Sequence, residues 1–196
     1  MGSFGMITFY QSLIYDMCQF FSSAMDSTLG YAVAIKRINQ INSNLVARRT
    51  LREIKLLKHF QGHPNIISIF DIFKTDSSTH FDELYITQEL MDTDMCHIIQ
   101  SKHPITEEHV KKFLYQLLRG LLALHSADVL HRDLKPGNLL WKHSGELKIC
   151  DFGLARGCSE RIEDHDIMMT NYVATRWYRP PEILLYKAQY GKPRTS

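Results

Sequence analysis

The stretch His131-Arg132-Asp133-Leu134-Lys135-Pro136-Gly137-Asn138 decides how the rest of the chain is read. It gathers a carboxylate, an ammonium and a carboxamide into six residues. Eighteen residues beyond Asp133 comes a second acidic turn, Asp151-Phe152-Gly153. Upstream, Val33-Ala34-Ile35-Lys36 ends on a lysine, and Glu53 follows seventeen residues later. Each feature alone has an ordinary reading. An exposed Lys–Glu pair contributes less than about 1 kcal/mol, and an isolated Asp-Phe-Gly is most often a simple turn. Four such features in one order and at these intervals leave chance a negligible share.

Periodicity places them on elements. Tyr31–Lys36 is β-rich, with Val33 and Ile35 on one side, and is expected to be a strand. Asn44–Phe60 has helical spacing through Leu45, Arg49, Glu53, Leu56 and Leu57, closed by the His63-Pro64-Asn65 turn. Ile66–Lys74 and Glu83–Gln88 suit two further strands. After Met91-Asp92-Thr93-Asp94 the chain turns helical. Thr106 suits an N-cap, Glu107 and Glu108 suit the positive end of the dipole, and Ile105 is placed to staple to Val110. The helix should run to about His125 and bury Val110, Phe113, Leu114, Leu117, Leu118, Leu121 and Leu122. Short β-like runs follow at Asn138–Trp141 and Leu147–Cys150. A β-rich part, a connector near residues 89–93 and a mainly helical part result.

Composition narrows the class. The chain has 196 residues, room for one large or two small domains, and enough to bury roughly 70% of its unfolded surface without disulfide or metal. Its net charge of +2 is too balanced for non-specific nucleic-acid binding. The 44% apolar and 22% charged residues are those of a globular protein. Four scattered cysteines (Cys18, Cys96, Cys150, Cys158) form no zinc spacing and point to the cytosol. His59, His63, His80, His97, His103 and His109 stand singly among polar neighbours and are expected at the surface. Residues 6–25 are apolar and aromatic, but Gln11, Asp16 and Gln19 interrupt them and no Lys or Arg precedes them. Neither signal peptide nor spanning helix is expected there. Met6 stands where the myristoylation pattern needs Ser or Thr.

In combination, Val33-Ala34-Ile35-Lys36, Glu53, His131 to Asn138 and Asp151-Phe152-Gly153 resemble the signature set of the protein kinases, a known phosphoryl-transfer template. The resemblance implies an α+β, bilobal fold: a β-rich N-lobe with one helix and an incomplete, mainly helical C-lobe. It implies ATP and Mg2+ as cofactors. Lys36, held by Glu53, would fix the α- and β-phosphates. Asn138 and Asp151 would be the metal ligands, hard oxygen donors suited to Mg2+. Asp133 would accept the proton of a substrate hydroxyl, and Lys135, the mark of a serine/threonine specificity, would neutralise charge at the γ-phosphate. Ala34 would line the nucleotide site. Such chemistry needs positioning and charge neutralisation more than covalent help.

Met169-Thr170-Asn171-Tyr172 and Val173-Ala174-Thr175-Arg176-Trp177-Tyr178-Arg179 resemble the activation segment of the mitogen-activated protein (MAP) kinases. Thr170 and Tyr172 would then be phosphorylated by an upstream dual-specificity kinase, each gaining about −1.5 to −2 charge that must meet cations. Arg49, Arg52, Arg132 and Arg156 would serve phospho-Thr170, and Arg176 and Arg179 phospho-Tyr172. Tyr85-Ile86-Thr87-Gln88-Glu89-Leu90-Met91 resembles the family's hinge, with Gln88 as gatekeeper and the Glu89 carbonyl and Met91 amide reading adenine. Leu140 would lie beneath the base and Cys150 behind it. Residues 125–130 with Pro136-Gly137-Asn138 are most similar to the fungal cell-wall-integrity branch. Implied partners are ATP, protein substrates with Ser/Thr-Pro sites and the upstream kinase, with no nucleic acid and no membrane. A monomer in cytoplasm and nucleus is expected.

The sequence also departs from that pattern. Only Gly2-Ser3-Phe4-Gly5 remains of the Gly-rich loop, leaving Gly2 and Gly5 as its phosphate-facing glycines. Gly5 precedes Lys36 by 31 residues, far more than the family's hairpin uses, so residues 8–21 are expected to lie outside the domain. Expected divisions are 1–30 (partial loop with insertion), 31–90 (N-lobe) and 91–196 (hinge and partial C-lobe). Asn171 replaces the family's usual Glu, Gly or Pro, and Pro180-Pro181-Glu182 replaces Ala-Pro-Glu. The chain ends fourteen residues past Glu182, short of the helices that complete a kinase domain. The expectation is therefore a MAP-kinase-like serine/threonine kinase, with a catalytically inactive fragment acting as a binding or interfering module as the alternative. A cyclin-dependent kinase fits less well, since such enzymes normally have no Thr-x-Tyr.

Overall fold

A computed structural model of the chain describes residues 7–16, 19–26, 30–74, 82–102, 104–157 and 176–179. It divides into two units, Met1–His63 with Ile67–Asp92 and Pro64–Ile66 with Thr93–Ser196.

In the first unit five strands form one sheet: β1 (Ile7–Asp16), β2 (Gln19–Asp26), β3 (Tyr31–Asn39), β4 (Ile69–Phe73) and β5 (Glu83–Glu89). Their order is β1-β2-β3-β5-β4, with every neighbouring pair antiparallel. Val33 and Ile35 are buried on one side of β3 and cluster with Ala24, against which Tyr85 packs. β2 pairs with β3 along its length, from Gln19 opposite Ile38 to Asp26 opposite Tyr31. Residues 8–16 and 19–21, expected to fall outside the domain, are strand residues of this sheet. Their Ile, Thr, Phe and Tyr content suits a pleated, half-buried surface.

The helix α1 (Asn44–His59) stops one residue short of the expected end, with Phe60 as its C-cap. It buries Thr50, Glu53 and Leu57 at intervals of three and four residues, the inward face of a helix. The strand expected at Ile66–Lys74 is shorter than its hydrophobic run, covering Ile69–Phe73: Ile66 instead makes an isolated parallel bridge to Ile149 and belongs to the second unit.

The second unit contains β6 (Thr93–Asp94), α2 (Met95–Gln100), α3 (Glu107–Ser126), β7 (Val129–Leu130), β8 (Leu139–Trp141), β9 (Leu147–Ile149) and β10 (Arg156–Gly157). Pro136–Asn138 is a single 3-10 turn, so Asn138 precedes the strand instead of starting it. β6, β8 and β9 form one antiparallel sheet and β7 pairs with β10. At the start of α3 the Thr106 hydroxyl accepts the His109 N–H, and His109 Nδ1 accepts the Thr106 N–H, each at 3.3 Å. This is a reciprocal cap with histidine in the usual place of Glu or Gln.

The expected burial of α3 needs correction. Leu118 and Leu122 are 62% and 68% exposed, Val110 and Leu114 are also exposed, and so is Ile105, the expected staple partner. Phe113, Leu117 and Leu121 are half-buried, while Gly120 and Leu124 are fully so. The described elements packed on α3 are mainly β7 and β9. These short strands cover only the seam through Leu117, Gly120 and Leu124. No described helix is long and apolar enough to cross a membrane.

Candidate active site

In the first unit β3 delivers Lys36 and α1 delivers Glu53. The ammonium lies 2.6 Å from Glu53 Oε1 and 2.8 Å from Oε2, with side chains 1% and 3% exposed. The pair is thus buried and bidentate, not the loose surface contact that the two residues alone would suggest. Such a pair fixes the ammonium because each charge, unpaired, would be strongly destabilising in that setting. Ala34 pairs with Gln88 across β3 and β5, and Val33 with Glu89. Gln88 is buried, Glu89 is half-buried and donates its N–H to Ser68 O at 3.1 Å, and Met91 is half-buried.

In the second unit a loop, a 3-10 turn and a strand end converge. Lys135 Nζ donates to Asp133 Oδ2 at 2.9 Å. Asn138 Nδ2 donates to the same carboxylate oxygen at 3.1 Å and to the Asp133 carbonyl at 2.8 Å. Pro136 opens the turn where its missing N–H costs nothing, and the Asn138 N–H closes it on Lys135 O at 2.9 Å. The Cys150 N–H donates to Asn138 O at 3.0 Å, placing the following Asp151 beside this turn. Leu140 lies on β8, half-buried.

His131 ties the two segments together. Its Nε2 donates to the Cys150 carbonyl at 2.9 Å, and its Nδ1 accepts the Asp133 N–H at 3.3 Å. These partners require the neutral imidazole with its proton on Nε2. Burial pushes its pKa below the ordinary value, opposed by the Cys150 hydrogen bond and the charges of Asp151 and Asp133. Arg132 and Asp151 hold left-handed backbone, φ 68° and 63°. That costs on the order of 1–3 kcal/mol each and marks a conformation held by its surroundings.

Asn138 spends its Nδ2 on Asp133, so the atom it offers a cation is the amide oxygen. With the Asp151 carboxylate this makes two hard oxygen donors, a set that fits Mg2+ bound together with phosphate oxygens. Among the described residues no three His, Cys, Asp or Glu side chains gather into a metal cluster.

The expected phosphate-pairing arginines fall into groups. Arg49 and Arg52 are half-buried on α1. In the second unit β10 pairs Arg156 with Leu130, two residues before Arg132, and Arg156 donates to Ala155 O at 2.9 Å. Arg179 is half-buried. Gly2, Gly5, Thr170, Tyr172 and the side chain of Arg176 lie outside the described residues. Reading the sequence missed His131 as an organiser, and missed Gln116 and Asn65, whose bonds to β9 join residues far apart in the chain.

A buried Lys–Glu pair and an Asp-Lys-Asn turn beside Asp151 define a class, and comparison with known proteins supplies it. The sequence pattern of the protein kinase domain matches residues 21–194, and the chain belongs to the protein kinase family. More narrowly, it is similar to mitogen-activated protein kinases. It is 54% identical to mitogen-activated protein kinase spm1 of Schizosaccharomyces pombe over 162 residues, 82% of this chain and 38% of the relative. It is 51% identical to mitogen-activated protein kinase MKC1 of Candida albicans over 173 residues, 87% of this chain and 34% of the relative. With mitogen-activated protein kinase 1 of Oryza sativa it shares 53% over 169 residues, 86% of this chain and 41% of the relative. The chain therefore spans between a third and two fifths of the length of these relatives.

Proposed function

We propose that the chain carries the phosphoryl-transfer machinery of a MAP-kinase-type serine/threonine kinase, acting on protein hydroxyls followed by proline. The observation that carries this is the convergence of Asp133, Lys135 and Asn138 with Cys150-Asp151, all within one unit. Mg2+, when bound, would offset the negative charge of the ATP phosphates. Lys36, fixed by Glu53, would hold the α- and β-phosphates, while Asn138 and Asp151 would hold the metal. Asp133 would orient the substrate hydroxyl and take its proton as the new O–P bond forms and the β–γ bridge breaks, releasing ADP. Lys135, already on the Asp133 carboxylate, would meet the γ-phosphoryl charge.

Phosphorylation of Thr170 and Tyr172 by an upstream dual-specificity kinase would switch the activity, with the arginines above as partners for the added charge. The setting proposed is a monomer in cytoplasm and nucleus. The test is transfer of label from [γ-32P]ATP to a Ser-Pro peptide by the doubly phosphorylated chain, with Asp151→Asn as control. Labelling lost in the variant supports the reading; a soluble, doubly phosphorylated chain that labels nothing contradicts it.

A second reading is favoured by one observation, the exposed apolar face of α3. Such faces commonly bind partners. In that reading the chain transfers no phosphate and instead competes for the upstream kinase. Excess chain would then slow phosphorylation of an intact MAP kinase without labelling any substrate itself.

A further inference from the structure

β9 is the edge of its sheet, and its outer edge is completed by the side-chain amides of Gln116 and Asn65 together with the Asn65 backbone carbonyl, beside the isolated bridge from Ile66 to Ile149. Gln116 of α3 accepts the Leu147 N–H on Oε1 at 2.9 Å, and the same oxygen accepts Asn65 Nδ2 at 3.2 Å. Gln116 Nε2 donates to Gly145 O at 2.9 Å, holding the turn between β8 and β9. Asn65, 2% exposed, donates from Nδ2 to Leu147 O at 3.0 Å, and its backbone carbonyl accepts the Ile149 N–H at 2.9 Å. The N–H and C=O of Leu147 and the N–H of Ile149 are therefore all satisfied from the outer side.

Gly120 shows how closely this is fitted. A Cβ there would lie 2.7 Å from Ile149 Cδ1 and 3.2 Å from Asn65 O. A helix residue without a side chain is what lets α3 approach Asn65 and β9. Directly after Ile149 comes Cys150, whose amide and carbonyl bond Asn138 and His131, and then Asp151.

We propose that Gln116 is a positioning residue. Through Asn65 and β9 it fixes where Cys150 and Asp151 stand against Asn138, and so the spacing of the two oxygen donors offered to Mg2+. The inference rests on the function proposed above. An amide suits this task because one end must accept two hydrogens while the other donates. Leucine removes both functions and leaves the Leu147 N–H facing an apolar group. Glutamate keeps the accepting oxygen and loses the Nε2 bonds to Gly145 O and Lys112 O.

The test is ADP binding to the 196-residue chain by calorimetry, with and without Mg2+, beside urea denaturation of each variant. Gln116→Leu should weaken the Mg2+-dependent part of ADP affinity about 10- to 100-fold, as removing a group that orients a metal ligand does. Metal-free ADP affinity should not change, and Gln116→Glu should fall between Leu and the unsubstituted chain. If Gln116→Leu does not fold, Gln116→Glu carries the comparison with the same expected direction. Unaltered Mg2+ dependence in a folded variant overturns the proposal, as does an equal loss with and without metal. If the unsubstituted chain shows no Mg2+-dependent ADP binding, the proposed function itself falls, and this inference with it. That result is visible before any variant is compared.

Discussion

At Lys36 and Glu53 the chain buries two full charges held bidentate against each other, a pair whose breaking by removal of one partner is strongly destabilising. Lys36→Met should therefore destabilise the fold by about 3–5 kcal/mol in urea denaturation, because it removes the bidentate cation from a buried carboxylate. Replacing both residues by apolar ones of similar size should recover much of that loss, so the double variant separates structural cost from function. His131 makes a pH-dependent prediction. Its pKa is lowered by burial in the folded state, so the unfolded chain binds the proton first as pH falls. Stability is fully present above the ordinary imidazole value of about 6.5 and should decline as pH drops through and below it. His131→Gln should flatten that decline in urea midpoints measured across the same range. The resemblance to the protein kinases, and not the two residues alone, made the Lys36–Glu53 pair legible in the sequence. The bonds of His131, Asn65 and Gln116 were not, because each joins positions brought together only by folding.

Elements were legible wherever one period dominated. α1 and α3 lie within a residue or so of their expected bounds, since buried positions recur at intervals of three and four, while β3 starts where expected and runs three residues past Lys36 to Asn39. One failure has a physical cause. On α3 the apolar stripe is wider than the strands that cover it, so periodicity alone overstated burial. This asymmetry predicts different costs along one helix. Leu118→Gln and Leu122→Gln should each change stability by no more than about 0.5 kcal/mol, as exposed substitutions do. Leu124→Ala, at a fully buried position, should cost about 2–5 kcal/mol. Urea denaturation of the three variants measures the contrast. Sedimentation should show the two glutamine variants less prone to self-association than the parent chain.

For the molecule as a whole, the chemistry is divided between the two units. One carries the buried lysine and the hinge-like end of β5. The other carries the Asp-Lys-Asn turn, Asp151 and the arginine pair of β10 and its neighbouring loop. The family match covers parts of both, from residue 21 to residue 194. The most direct measurement of the central claim is phosphate transfer from Mg2+-[γ-32P]ATP to a Ser-Pro peptide by the doubly phosphorylated chain, run beside Asp151→Asn and Asp133→Asn. The account predicts label in the peptide with the parent chain and none above background with either variant. Equal labelling by all three, or none from a soluble parent chain that binds Mg2+-ATP, would contradict it.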